Sequence, residues 1–260
     1  MAFFSFSFFA GQPIFRRLVI ALAIALAVSA AAYAALDRMP LDAQNHVPSN
    51  VAWTEATMAS VASGNGLHGL LLARRCEHCH GSEGFSTSAS TPNLAGLDKL
   101  VTWKQLEDFR VGKRSSPVME PVAASLSQRD FADLAVYYSI LPPYFDPQDN
   151  RSFPQKRPEF ARTSLAARLI SSGDGARGIP PCSTCHGPVA YHTGAPSLAA
   201  QNADYIFDQL EAFADGSRAN DINLPMRTIA AQLKADERRT LADYYGSGLG
   251  MLPAGATLPH

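Results

Sequence analysis

The sequence is organised around the stretch Cys76-Glu77-His78-Cys79-His80-Gly81, which occurs again in altered form as Cys182-Ser183-Thr184-Cys185-His186-Gly187. Both stretches read Cys-x-x-Cys-His, the pattern of covalent c-type haem attachment. Two thiols about one helical turn apart can add to the two vinyl groups of one porphyrin, and the next histidine then lies under the iron as an axial ligand. The spacing therefore predicts two covalently bound haem c groups, attached through Cys76, Cys79, Cys182 and Cys185 and ligated by His80 and His186.

Paired cysteines have other uses, since Cys-x-x-Cys also occurs in redox dithiols and zinc knuckles. Here all four cysteines of the chain lie in the two motifs, which leaves little room for those alternatives and no disulfide framework. The 260 residues suffice for about two domains after an N-terminal segment. A formal net charge of −1 argues against a nucleic-acid partner.

The N-terminal part carries an uncharged run, Leu18 to Leu36, directly after Arg16 and Arg17. Its length is close to the roughly 20 residues that span a bilayer as a helix. The basic residues before it predict that residues 1–17 are cytoplasmic and that the rest of the chain lies outside. A cleaved signal peptide is the alternative, because Ala32-Tyr33-Ala34 resembles a cleavage site. We favour a retained anchor because the run is longer than a usual signal-peptide core.

The chain contains an internal repeat, which is the strongest signal of its organisation. The two first cysteines are offset by 182 − 76 = 106 residues, and Pro92-Asn-Leu-Ala and Pro196-Ser-Leu-Ala by 196 − 92 = 104 residues. The predicted organisation is a cytoplasmic segment 1–17, an anchor or signal segment 18–36, a linker 37–59, a first domain 60–145, an interdomain linker 146–163, a second domain 164–250 and a tail 251–260.

Each repeat unit has the pattern of helices joined by long loops, and no segment alternates strongly enough to be a strand. Leu67, Leu70 and Leu71 fall on one face of a helix that leads into the first cysteine motif. The sequence therefore predicts an all-α fold, with helices over 66–75, 102–111 and 127–140 in the first unit and over 164–172, 203–213 and 234–246 in the second.

A haem iron held by one histidine needs a second ligand or leaves an open site. Met119 and Met226 occupy matching places, because the separation from His80 to Met119 differs by a single position from that between His186 and Met226. A single methionine more often fills a gap in a core. Two at nearly equal spacing predict thioether ligands to both irons, which raise the reduction potential.

Pro92 and Pro196 follow the two motif histidines at similar separations along the chain. They could simply bend a loop, or offer a backbone carbonyl that accepts the Nδ1–H of the ligating histidine and fixes its tautomer. Arg110, Arg218 and Arg227 are candidates for neutralising haem propionates, with ordinary solvated arginines as the alternative.

With Pro92-Asn-Leu-Ala-Gly96 and the segment Gln105-Leu-Glu-Asp-Phe-Arg-Val-Gly112 added to the motifs, the chain resembles the dihaem cytochromes c of the c-four type over about residues 60–248. The resemblance implies two tandem cytochrome c-type helical domains after an N-terminal transmembrane helix or signal segment. It carries the axial ligands over to His80 and Met119 and to His186 and Met226, and the haem-facing prolines to Pro92 and Pro196. The short loop before Met119 and the long N-terminal apolar run depart from the family pattern.

The resemblance also implies a function, which is single-electron transfer in a periplasmic respiratory chain. The expected donor is a quinol-oxidising complex or a dehydrogenase, and the expected acceptor is a terminal oxidase. The expected location is the periplasmic side of the bacterial inner membrane, with the chain either anchored or soluble after signal cleavage. A cytochrome c subunit of a membrane-bound dehydrogenase is one alternative, and a dihaem peroxidase-type or thiosulfate-type enzyme is another. The paired methionines argue against an enzyme.

Overall fold

The computed structural model describes residues 48–142, 164–187 and 194–247. The predicted cytoplasmic segment 1–17, the run Leu18–Leu36, the interdomain linker 146–163 and the tail 251–260 lie outside the described residues. Within the described ranges, none of the helices combines the length and the apolar character needed to cross a bilayer.

Eleven α-helices follow one another along the described residues, with no strand among them, so the all-α prediction is confirmed for this part of the chain. They are α1 Glu55–Ala62, α2 Gly66–Ala73, α3 Glu77–His80, α4 Lys99–Arg110, α5 Met119–Ala124, α6 Gln128–Ile140, α7 Leu165–Ser172, α8 Ser183–His186, α9 Ala203–Asp215, α10 Pro225–Gln232 and α11 Ala235–Gly246. A short 3₁₀ turn, Gly175–Arg177, lies between α7 and α8.

Side-chain caps stabilise the starts of several helices. Ser127 and Asp130 form a capping box at the start of α6. Helix α4 begins at Lys99, three residues before its predicted start, because the Asp98 side chain accepts a hydrogen bond from the Leu100 N–H. Helix α1 begins within the predicted linker, since Thr54 accepts a bond from the Thr57 N–H, so residues 55–59 are helical.

Two hydrophobic cores follow the two units of the repeat. The first is built on α2, α4 and α6, with Phe131 and Leu134 fully buried. The second is built on α7, α9 and α11 around Leu169 and Leu241. The helices that build the two cores occupy equivalent places in the two units of the repeat.

Helix α2 meets α6 most closely at a small residue, Gly69. A Cβ on Gly69 would lie 2.1 Å from the Asp133 carbonyl oxygen, so the two backbones touch at this point. Gly69 and Ala73 are the buried positions of α2. The leucine face of α2, which we define as Leu67, Leu70 and Leu71, consequently points outwards with 78%, 42% and 58% of each residue exposed.

Candidate haem sites

The two cysteine motifs form the same single helical turn. In α3 the His80 N–H donates to the Cys76 carbonyl at 2.9 Å, and in α8 the His186 N–H donates to the Cys182 carbonyl at the same distance. The turn places both thiols of each motif beside its histidine. All four cysteines are unbridged thiols, with Cys79 exposed and the others half-buried. Two cysteines within one helical turn fit covalent attachment to a single porphyrin.

Each motif histidine is held by a proline carbonyl of its own unit. The Nδ1 of His80 lies 2.8 Å from the Pro92 carbonyl oxygen, and the Nδ1 of His186 lies 2.7 Å from the Pro196 carbonyl oxygen. A carbonyl can only accept, so Nδ1 carries the proton and the lone pair on Nε2 is the one suited to a metal. Burial lowers the pKa of His80, which favours the neutral, ligating form.

The two methionines stand at equivalent places in the fold. Met119 is the first residue of α5 and packs half-buried against the first core, where its N–H donates to the Ser116 Oγ at 3.1 Å. Met226 is the second residue of α10, after Pro225 in the first helical position. Both therefore lie in the first turn of a short helix that follows the middle helix of their unit. Their role as iron ligands stays a prediction.

Buried polar atoms in both units fit a bound cofactor. The hydroxyl of Tyr245 in α11 and the indole N–H of Trp103 are buried without a hydrogen-bond partner among the described residues. The hydroxyl of Tyr138, at the matching place in α6, is buried beside the Cys76 thiol. Native interiors rarely leave such atoms unsatisfied, and a cofactor with polar groups would complete them. Burial raises the pKa of the Cys182 thiol to about 11, as expected for a cysteine enclosed in an apolar pocket.

A reciprocal set of hydrogen bonds joins the two units. The Arg114 guanidinium donates to Gln105 of its own unit at 2.7 Å and to Gln209 of the other unit at 2.8 Å. The Arg218 guanidinium donates to Gln209 of its own unit at 2.8 Å and to Gln105 of the other at 3.2 Å. We call these four side chains the arginine–glutamine lock.

The surroundings of this lock carry more positive than negative charge. Lys104, Arg114 and Arg218 are enclosed there, and the fully buried Asp108 carboxylate accepts from Lys104 at 2.5 Å. Burial and the neighbouring Arg114 lower the pKa of Arg218 to about 9, although Asp108 and Asp221 lie nearby. Two haems would bring anionic propionates, so the residues present fit the predicted cofactors.

Of the three arginines that the sequence offers as candidates for facing propionates, only Arg218 lies in the arginine–glutamine lock. Arg110 instead forms a surface pair with Glu107 at 2.6 Å, and Arg227 pairs with Asp221 at 2.6 Å. Sequence reasoning missed Arg114. The repeat could have found it, because Arg114 follows Phe109 at the same distance as Arg218 follows Phe213, and each guanidinium stacks on its phenylalanine ring.

The loop that holds the first histidine is also tied to the second unit. The Asn93 N–H donates to the Gln201 Oε1 at 2.7 Å, and the Gln201 amide donates back to the Asn93 carbonyl at 2.9 Å. Asn93 directly follows Pro92, whose carbonyl accepts from His80. The position of the first histidine therefore depends on contact between the two units.

Two such turns, each with its histidine anchored in a separate helical core, are the construction of a dihaem c-type cytochrome with two covalently bound haem c groups. No protein-family model matches the chain. The thiosulfate dehydrogenase electron acceptor of Stutzerimonas stutzeri is 38% identical to it over 178 residues, which cover 67% of this chain and 79% of that one. Cytochrome c4 of Pseudomonas aeruginosa is 33% identical over 187 residues, which cover 70% and 88% of the two chains.

Solved structures agree with these relatives. The crystal structure of reduced cytochrome c4 from Pseudomonas stutzeri superposes with a TM-score of 0.62 at 28% identity, over 73% of this chain and all of that one. The thiosulfate dehydrogenase of Marichromatium purpuratum matches with a TM-score of 0.59 at 32% identity, over 73% of this chain and 41% of that one. The chain belongs to the cytochrome c4 family, which confirms the resemblance and the expected role as an electron carrier.

Proposed function

We propose that this carrier receives single electrons from a dehydrogenase of the thiosulfate-oxidising class and passes them to a terminal oxidase. The observation that carries the proposal is the similarity to two proteins named thiosulfate dehydrogenase electron acceptor, at 38% and 36% identity. A quinol-oxidising complex is the competing donor. The proposal narrows the donor expected from the sequence to one kind of dehydrogenase.

In this proposal His80 with Met119, and His186 with Met226, would hold the two irons, and the four cysteines would fix the porphyrins covalently. Each haem would supply a one-electron couple, which histidine and methionine ligands would set at a high potential. The carbonyls of Pro92 and Pro196 keep the histidine rings oriented through their Nδ1–H bonds. With these four ligands bound, little would rearrange on electron transfer and oxygen or peroxide would find no open iron.

We further propose that the carrier works at the periplasmic face of the inner membrane, tethered through Leu18–Leu36. The supports are the length of this run and the two arginines before it. Cleavage near Ala34 and release as a soluble protein is the alternative. Mass spectrometry of the protein isolated from membranes distinguishes the two, since the tethered form retains the residues of the run.

A second candidate role is that of a fixed cytochrome subunit in a dehydrogenase complex. The match to the Marichromatium purpuratum thiosulfate dehydrogenase favours this role. There, the part similar to this chain makes up 41% of a longer chain that is itself a dehydrogenase. Isolation in mild detergent separates the roles. A fixed subunit copurifies with a dehydrogenase at constant stoichiometry, whereas a free carrier does not.

The donor is tested by stopped-flow reduction of the oxidised holoprotein. Purified thiosulfate dehydrogenase with thiosulfate should reduce both haems faster than a quinol-oxidising complex with its quinol at equal concentrations. Efficient reduction by the quinol-oxidising complex alone would overturn the proposed donor. The matched control omits thiosulfate, which must abolish reduction by the dehydrogenase.

A further inference from the structure

The leucine face of α2 is an apolar surface that the rest of the described chain leaves open. Leu67, Leu70 and Leu71 recur at the spacing of one helical face, and each exposes more than two fifths of its surface. The equivalent helix of the second unit is different, because α7 buries Leu169 completely and Ile170 to 9% exposure. Of these two equivalent helices, α2 exposes large apolar side chains and α7 does not. An external surface could bind to the exposed side chains of α2.

The two charged residues that directly follow this face are both basic. Arg74 and Arg75 follow the leucines directly and are both exposed. From residue 56 to residue 76 the chain contains no aspartate or glutamate. His68 on the same helix bonds the buried Asp133 carboxylate at 2.7 Å, so that nearby acid is already engaged. Leucines with adjacent arginines are the composition of helices that lie in the headgroup region of an anionic bilayer.

The chain also carries its own means of bringing this face to a membrane. The apolar run ends at Leu36, and α1 begins at Glu55, which leaves residues 37–54 between them. An extended connection of that length reaches at most about 60 Å. Such a tether keeps the leucine face at a high local concentration near the bilayer, so weak contacts suffice for docking.

We propose that the leucine face of α2, with Arg74 and Arg75, docks on a lipid surface that contains anionic phospholipid. The contact adds to the tether proposed above and does not depend on which dehydrogenase is the donor. This contact would orient the first haem unit towards the bilayer, because α2 ends only three residues before Cys76. The second unit, whose α7 turns its apolar residues inwards, stays away from the lipid.

Hydroxyl-radical footprinting of the full-length holoprotein tests this directly, since it reads the exposure of individual side chains. The protein is placed in nanodiscs of phosphatidylglycerol with phosphatidylcholine, in nanodiscs of phosphatidylcholine alone, and in detergent micelles. We expect oxidation of Leu67, Leu70 and Leu71 to fall several-fold only in the anionic nanodiscs, and less at high salt. Val111, which is 41% exposed on the first unit, is the internal reference.

Matched variants separate lipid contact from other causes. Arg74→Gln should reduce the protection of the leucines, whereas Arg168→Gln on the exposed side of α7 should leave it unchanged. The visible spectrum of each variant checks that both haems remain attached. Equal oxidation of the leucines in all three environments would overturn the proposal. Protection in every environment would also overturn it, since the face would then be covered by this chain or by a second copy. Protection that appears only after thiosulfate dehydrogenase is added would overturn it as well, and would assign the face to a protein partner.

Discussion

Replacing Gly69 by alanine tests the packing that brings the first cysteine motif into place. The new Cβ would lie 2.1 Å from the Asp133 carbonyl oxygen and 2.7 Å from its carbonyl carbon, both of which are backbone atoms of α6. An ordinary contact starts near 3.4 Å, so α2 has to move by roughly 1.3 Å relative to α6.

The size of the effect follows from two opposing terms. Overpacking of this kind costs about 3 kcal/mol when the neighbour is backbone that cannot rotate away. Alanine is the better helix former by about 1 kcal/mol, which offsets part of that cost. The expected net loss is therefore about 2 kcal/mol, which lowers the melting temperature by about 4–8 °C for a protein of this size.

The assay is thermal unfolding of the holoprotein, followed by circular dichroism and by the Soret absorbance. Gly175→Ala is the matched control, because a Cβ there meets no atom of the described residues within 4 Å. The control should melt within a degree or two of the wild type, or slightly above it. A Gly69→Ala variant as stable as the wild type would refute the close approach of α2 to α6.

Three further predictions address the haem sites and a buried ion pair. Met119→Ala should open one iron, lower its potential and halve the methionine–iron charge-transfer band of the ferric protein; an unchanged spectrum would reject Met119 as a ligand. Cys79→Ser should impair attachment of one haem, so a pyridine haemochrome assay should detect fewer than two covalent haems per chain, and two intact ones would contradict the motif assignment. Arg177→Met should destabilise the second unit at pH 7, because Arg177 holds the buried Glu237 carboxylate at 2.8 Å and lowers its pKa. A depressed carboxylate pKa stabilises the fold above the unfolded value of about 4.3 and ceases to do so as the pH falls through the folded value. The difference in melting temperature between wild type and Arg177→Met should therefore shrink towards pH 3, and a constant difference would exclude the ion pair as its cause.

The sequence predicts the elements whose signals are local. The end of α6 is predicted because Pro142 cannot continue the helix, and its start because Ser127 and Asp130 form a capping box. The early start of α4 depends on Asp98, whose capping bond is an equally local signal that the periodicity of the helix does not include. Helix α2 shows a different limit. Periodicity finds the face that bears Leu67, but it cannot tell that the absence of a side chain at Gly69 lets α6 pack on the other face.

The contacts that join the two units could not be predicted in the same way. Arg114 bonds Gln209 from 95 residues away in the sequence, and Asn93 bonds Gln201 from 108 residues away. Each partner alone has the composition of a solvated surface. Their meeting depends on the relative orientation of the two units, which no local pattern encodes. The repeat does give one usable signal, since residues that recur in both units beside an aromatic ring, such as Arg114 and Arg218, are candidates for a symmetric contact.

Some residues at the interface between the two units recur in the repeat and others do not. Gln105 and Arg114 recur 104 residues later as Gln209 and Arg218, which makes the lock nearly symmetric. At the same offset, however, Lys104 and Asp108 correspond to Asp208 and Ala212, so the buried lysine–aspartate pair exists in the first unit alone. Symmetric contacts fix the distance between two similar units, whereas a one-sided buried ion pair gives their cofactors different electrostatic surroundings. The two haems should therefore differ in reduction potential even with the same kinds of ligand, and such a difference gives an electron a preferred direction across the interface.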